Sequence, residues 1–153
     1  MSPRSPLFPK STCPNEGPAP ISGGEPKPTV LVVDDDESVR NGICRALRLE
    51  EIRVVAARGV KDALEHLFLH LPDLVITDMC MIPLAGWDLI AHLRSRHPAL
   101  PIFVITALPM PLEGEGMSDI SAYFQKPIDL DRMIAALWCE LAKVGYAQRG
   151  SSV

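Results

Sequence analysis

The chain has 153 residues, of which 47% are hydrophobic and 22% charged, enough for one domain with a buried core. Fifteen Lys and Arg against nineteen Asp and Glu leave a formal charge of −4, which argues against a general nucleic-acid binder with its basic surplus. No apolar stretch approaches the ~20 residues that span a bilayer. The opening residues MSPRSPLFPKS lack the apolar core of a secretory signal, so the protein reads as cytoplasmic.

Residues 1–28 carry eight of the fifteen prolines, with Ser, Gly, Lys and Glu between them. Such a segment has too little apolar surface to offset the entropy of ordering, and a disordered tail is expected. A proline-rich docking peptide is the sharper alternative. From Thr29 the texture alternates. TVLVV (29–33) is a β-branched run suited to a strand buried on both faces. A helix follows over 37–50 with Val39, Ile43, Ala46 and Leu47 on one side, then the strand IRVVAA (52–57). The next helix places Val60, Ala63, Leu64, Leu67, Phe68 and Leu71 at i, i+3, i+4, i+7 spacing. DLVIT (73–77) is the third strand, 86–97 the third helix, PIFVIT (101–106) the fourth strand and AYF (122–124) the fifth. Asp129 is a plausible N-cap for a last helix that turns Leu130, Met133, Ile134, Leu137 and Leu141 inward. Strand and helix alternating in this way mean an α/β fold, a parallel sheet between helices.

One segment breaks the rhythm. ALPMPLEGEGMSDIS (107–121) contains Pro109, Pro111, Gly114 and Gly116, and proline and glycine inside a helix cost about 3 and 1 kcal/mol per residue. A loop with at most one or two helical turns near 117–121 is expected. The cysteines, Cys13, Cys44, Cys80 and Cys139, form no C-x-x-C pair and read as reduced, mostly buried thiols. Trp87 and Trp138 are assigned to the margins of the core. His66, His70, His92 and His97 fall on helices away from the acids, and His66/His70 at i, i+4 is a weak metal pair.

Working groups in open parallel sheets sit at the carboxyl ends of the strands. Here those ends carry Asp34, Asp35 and Asp36, then Asp78, then Thr106 and Ala107, then Lys126 and Pro127. Several carboxylates in one place repel each other unless a cation sits among them. All-oxygen donors suit Mg²⁺, which takes one or two carboxylates, waters and a phosphate oxygen. A carboxylate can also attack phosphorus, while a lysine and a hydroxyl hold the remaining phosphoryl oxygens. The set is complete for phosphoryl transfer onto an aspartate.

The segments VLVVDDDESVR, LPDLVITDMCMIPLAGWDL, PIFVITA and AYFQKPIDL resemble the receiver domain of two-component response regulators. The resemblance covers about 29–144, leaving 1–28 and 145–153 as tails. It implies a flavodoxin-like, five-stranded doubly wound sheet of order 2-1-3-4-5. It also implies that Asp78 is the phosphoacceptor, Asp35 the direct Mg²⁺ ligand, Asp34 a ligand acting largely through water, and Cys80 a ligand through its backbone carbonyl. Thr106 matches the switch hydroxyl, Lys126 its lysine partner, and Tyr123 the aromatic that turns inward when Thr106 moves. The Lys126–Pro127 bond is expected to be cis. The phosphodonor would be a sensor histidine kinase or a histidine phosphotransfer protein, and the target an unknown protein. About ten residues follow the last helix, so the chain is expected to signal through protein contacts, as a stand-alone receiver or relay intermediate. It would catalyse only its own phosphorylation and dephosphorylation. Arg40, Arg45 and Arg48 read as a solvated face of the first helix, where kinase partners commonly dock in this family.

The sequence departs from the family pattern in three places. Ile82, followed by Pro83, stands where proline is common. The Thr106–Lys126 interval is slightly short, so the fourth helix is expected to be short or irregular and dimerisation through it doubtful. Cys80 and Leu108 offer no strong acceptor to an attacking water, so slow hydrolysis of the aspartyl phosphate is expected. Two other readings compete. VLVVDDDES also matches the signature of haloacid-dehalogenase phosphohydrolases, with Asp34 as nucleophile and Asp36 as general acid, although that reading leaves Asp78 unexplained. The other is a receiver-like scaffold that takes no phosphate.

Overall fold

Among the described residues the alternating pattern becomes nine elements. They are β1 (Thr29–Val33), α1 (Glu37–Leu49), β2 (Arg53–Ala57), α2 (Val60–Leu69), β3 (Leu74–Asp78), α3 (Gly86–Arg96), β4 (Ile102–Thr106), β5 (Ala122–Gln125) and α4 (Leu130–Ala142). The computed structural model describes residues 26–80, 86–107 and 119–147. The expectations for the tail at 1–25, the Ile82–Pro83 turn, Leu108 and most of the irregular fourth-helix segment lie outside those residues.

All neighbouring strands are parallel and the sheet order is β2-β1-β3-β4-β5, as the sequence implied. Because side chains alternate along a strand, a central strand must be apolar on both faces. In β1, Val30 and Val32 pack with Ile43 and Leu47 of α1 and Met133, Leu137 and Leu141 of α4. Leu31 and Val33 pack with Val60 and Ala63 of α2 and Leu89, Ile90 and Leu93 of α3. Two apolar layers therefore hold the sheet between helix pairs, and every residue of β3 and β4 is buried. Asp129 caps α4 by accepting a hydrogen bond from the Arg132 amide at 3.1 Å.

Four side-chain expectations need correction. The buried arc of α2 runs through Val60, Ala63 and His66. Phe68, five residues past Ala63, lies about 140° round the helix from it and is 89% exposed. Leu71 is exposed because the helix ends at Leu69 and His70 is already extended. Of the three described cysteines only Cys44 is buried. Cys80 lies just beyond β3 and Cys139 on the outer face of α4, both exposed. Arg40 does not belong to a solvated face either: it is 2% exposed. Trp138 closes the core margin as expected, its indole N–H donating to Glu50 Oε1 at 3.1 Å, whereas Trp87 is 41% exposed.

Candidate functional site

The turn from β1 into α1 gives its three acids different positions. Asp34 is fully buried. Its amide donates to the Ala57 carbonyl at 3.2 Å and its Oδ1 accepts from the Asp36 amide at 2.9 Å. Asp34 Oδ2 lies 3.1 Å from Lys126 Nζ, yet it makes no hydrogen bond among the described residues. Asp35 is exposed at the mouth of the site. Asp36 accepts at Oδ1 from the amides of Ser38 (2.9 Å) and Val39 (3.2 Å) and so caps α1. Its carboxylate serves the helix terminus, a poor position for the general acid of a phosphohydrolase.

Asp78 is the last residue of β3. Its Oδ1 accepts from the Cys80 amide and its Oδ2 from Lys126 Nζ, both at 3.1 Å. The Lys126 amide donates to the Thr106 carbonyl at 2.8 Å, which seats the lysine beside the end of β4. Thr106 is fully buried, and its Oγ1 stands 4.0 Å from Cys80 Sγ. The Lys126–Pro127 bond is cis, as expected. Tyr123 is half-buried on β5, opposite Val104, and packs against the cluster formed by α2 and α3.

The site is short of positive charge. Burial raises the Asp34 carboxyl from its ordinary 3.8 to about 6, and the Asp78 charge adds to the rise. The Asp36 amide and Lys126 only partly offset it. Lys126 shows the converse. Burial pushes its ammonium down, but the hydrogen bond to Asp78 and the two carboxylate charges outweigh it and leave it raised. Burial, with the Cys80 thiol nearby, also holds the Tyr123 phenol above its usual value. Oxygens of Asp34, Asp35 and Asp78 lie within 4.8 Å of one another. A hard, oxygen-only donor set with one buried oxygen lacking a hydrogen bond fits a divalent cation such as Mg²⁺.

The structure thus brings together Asp34, Asp35, Asp78, Thr106 and Lys126, with Cys80 at the rim and Tyr123 on the adjoining strand. Two supporting residues escape a reading by residue type. Arg40 Nη1 donates to the Asp34 carbonyl at 2.7 Å. Gly86 opens α3 directly against the end of β3. A Cβ there would overlap the Asp78 carbonyl oxygen, and its amide donates to the Met79 carbonyl at 3.1 Å. The signal for Arg40 was present, since Arg40, Ile43, Cys44 and Leu47 follow one helical stripe. For Gly86 a single sequence carries none.

A doubly wound sheet with acids, a threonine and a lysine at its carboxyl edge defines a receiver-type module. Residues 30–138 match the model of the response regulator receiver domain, and the chain belongs to that family. It is 34% identical over 110 residues to response regulator MprA of Mycolicibacterium vanbaalenii, covering 71% of this chain and 48% of the relative. The chain therefore spans about half the length of the curated relatives it matches. Among solved structures, the receiver domain of a Francisella response regulator is 26% identical with a TM-score of 0.71, covering 77% of this chain and 99% of that one. A response regulator receiver protein from Pseudomonas putida is 30% identical with a TM-score of 0.66, covering 74% and 98%.

Proposed function

We propose that residues 29–144 form a phosphoryl-accepting signalling unit in which Asp78 receives the phosphoryl group. The donor is a phosphohistidine on a sensor kinase or histidine phosphotransfer protein. An Asp78 carboxylate oxygen forms the new bond to phosphorus as the P–N bond breaks, and the imidazole nitrogen leaves with the electron pair. The Asp78 side chain keeps 5% of its surface exposed, and the donor reaches it through that opening. The cation would be held by Asp34, Asp35, Asp78 and the Cys80 carbonyl. When bound, Mg²⁺ supplies charge neutralisation for the transferring oxygens.

The chain's own residues do the rest. Lys126 already bonds the acceptor and is placed to pair with a phosphoryl oxygen; Thr106, fully buried beside it, supplies the hydroxyl. Drawing Thr106 toward the new dianion vacates space on the sheet's edge, and Tyr123 turns into it. The phosphoryl group thereby shifts the balance between two arrangements of the β4–β5 surface. Cys80 offers a water no strong acceptor, so the phosphorylated form decays slowly, over minutes or longer.

One observation carries this reading: Lys126 Nζ stands 3.1 Å from both Asp34 Oδ2 and Asp78 Oδ2, joining three strand ends that are far apart in sequence. Incubation with acetyl phosphate and Mg²⁺ should produce a phosphate-affinity gel shift that the Asp78→Ala variant lacks. An equal shift in the variant rejects the assignment.

A further inference from the structure

We propose that Arg40 is a positioning residue for the cation site, acting through the Asp34–Asp35 peptide. The inference rests on the acidic cluster binding a divalent cation, as proposed above. Arg40 lies in the first turn of α1, where its own amide donates to the Asp36 carbonyl at 2.9 Å. Its side chain folds back past that turn, and Nη1 donates to the Asp34 carbonyl at 2.7 Å. A guanidinium is more weakly hydrated than an ammonium and carries its donors in a rigid fork, so it can be buried while holding a carbonyl in a fixed direction.

That carbonyl has a particular leverage. The Asp34 C=O and the Asp35 N–H share one rigid peptide plane. Holding the oxygen restrains that plane and so places the Asp35 N–Cα bond, while the Asp36 amide, bonded to Asp34 Oδ1, restrains the chain on the other side of Asp35 and limits the rotation that would swing its Cβ. Asp34 is otherwise held by the Ala57 carbonyl at its amide, by the Asp36 amide at Oδ1 and by the Lys126 ammonium beside Oδ2. Asp35 is exposed and gains its alignment from the backbone on either side. Arg40 therefore sets the spacing between the Asp35 carboxylate and the buried Asp34 and Asp78 carboxylates. Outer contacts of this kind typically change metal affinity about 10- to 100-fold when removed.

The test is Mg²⁺ affinity measured by calorimetry on the full chain, for wild type, Arg40→Met, Arg40→Lys and Leu47→Ala, well below each melting temperature. Leu47 is fully buried on the same helix and outside the acidic cluster. Its truncation lowers stability without touching the Asp34–Asp35 peptide. The expected result is affinity weakened about ten-fold or more in Arg40→Met, partly recovered in Arg40→Lys, and unchanged in Leu47→Ala. Wild-type affinity in Arg40→Met, or equal losses in Arg40→Met and Leu47→Ala, would overturn the positioning role. Absence of Mg²⁺ binding by the wild-type protein would overturn it together with the cation-site reading beneath it.

Discussion

Asp34 holds the least comfortable charge in the described structure, and its discomfort has a measurable sign. The unfolded carboxyl titrates near 3.8 and the folded one at about 6, because burial and the neighbouring Asp78 disfavour the anion. Between those values the folded state binds more protons than the unfolded state, so stability falls as pH rises through the window and stays lower above it. Two pKa units correspond to a few kcal/mol, on the order of 2 after allowance for coupling to Asp78 and Lys126. In cation-free buffer, Asp34→Asn should therefore be more stable than wild type at pH 7 by about 2 kcal/mol, with most of that gain gone below pH 4. Denaturation in urea at the two pH values measures it. A difference independent of pH would show that the burial penalty is not electrostatic. A charged side chain on a helix is ordinarily assigned to water, yet position 40 shares the stripe of Ile43, Cys44 and Leu47 and is buried with them. Periodicity contained the answer that residue type concealed.

Among the elements, the strands were the most legible, since runs such as TVLVV and PIFVIT have apolar side chains on both faces and can satisfy them only inside a two-layered sheet. Helix existence was equally clear; helix orientation was not. The apolar residues of α2 span more than half of its circumference, so pattern alone could not say which arc faces the sheet. The arc containing His66 is buried and Phe68 is left outside. The start of α3 illustrates a constraint with no sequence signature, because Gly86 is required by what lies across from it. Gly86→Ala should force α3 away from the Asp78 carbonyl, a backbone group that cannot rotate aside. The expected cost is about 1–3 kcal/mol of stability, in the range for overpacked sites, together with slower phosphorylation by acetyl phosphate. Equal melting temperatures and equal rates for the two proteins would mean that the helix accommodates the methyl group freely.

For the molecule as a whole, topology does the chemical work. Parallel strands all present their carboxyl ends on one edge, and the order β2-β1-β3-β4-β5 sets β1 beside β3, so that the Asp34 and Asp78 carboxylates become neighbours. The next two strands bring Thr106 and Lys126 to the same edge. The site was legible because its members are polar residues at the ends of apolar strands. The burial of Arg40 could be read from its helical stripe but its carbonyl partner could not, and Gly86 left no trace, because both roles come from tertiary contact. The central claim is that the acceptor is Asp78 and not the more deeply buried Asp34. The most direct measurement is borohydride trapping after treatment with acetyl phosphate and Mg²⁺, which reduces an aspartyl phosphate to homoserine, followed by peptide mapping by mass spectrometry. Homoserine at position 78 is the predicted result. Homoserine at position 34, as a phosphohydrolase would give, or at neither position, would contradict the account.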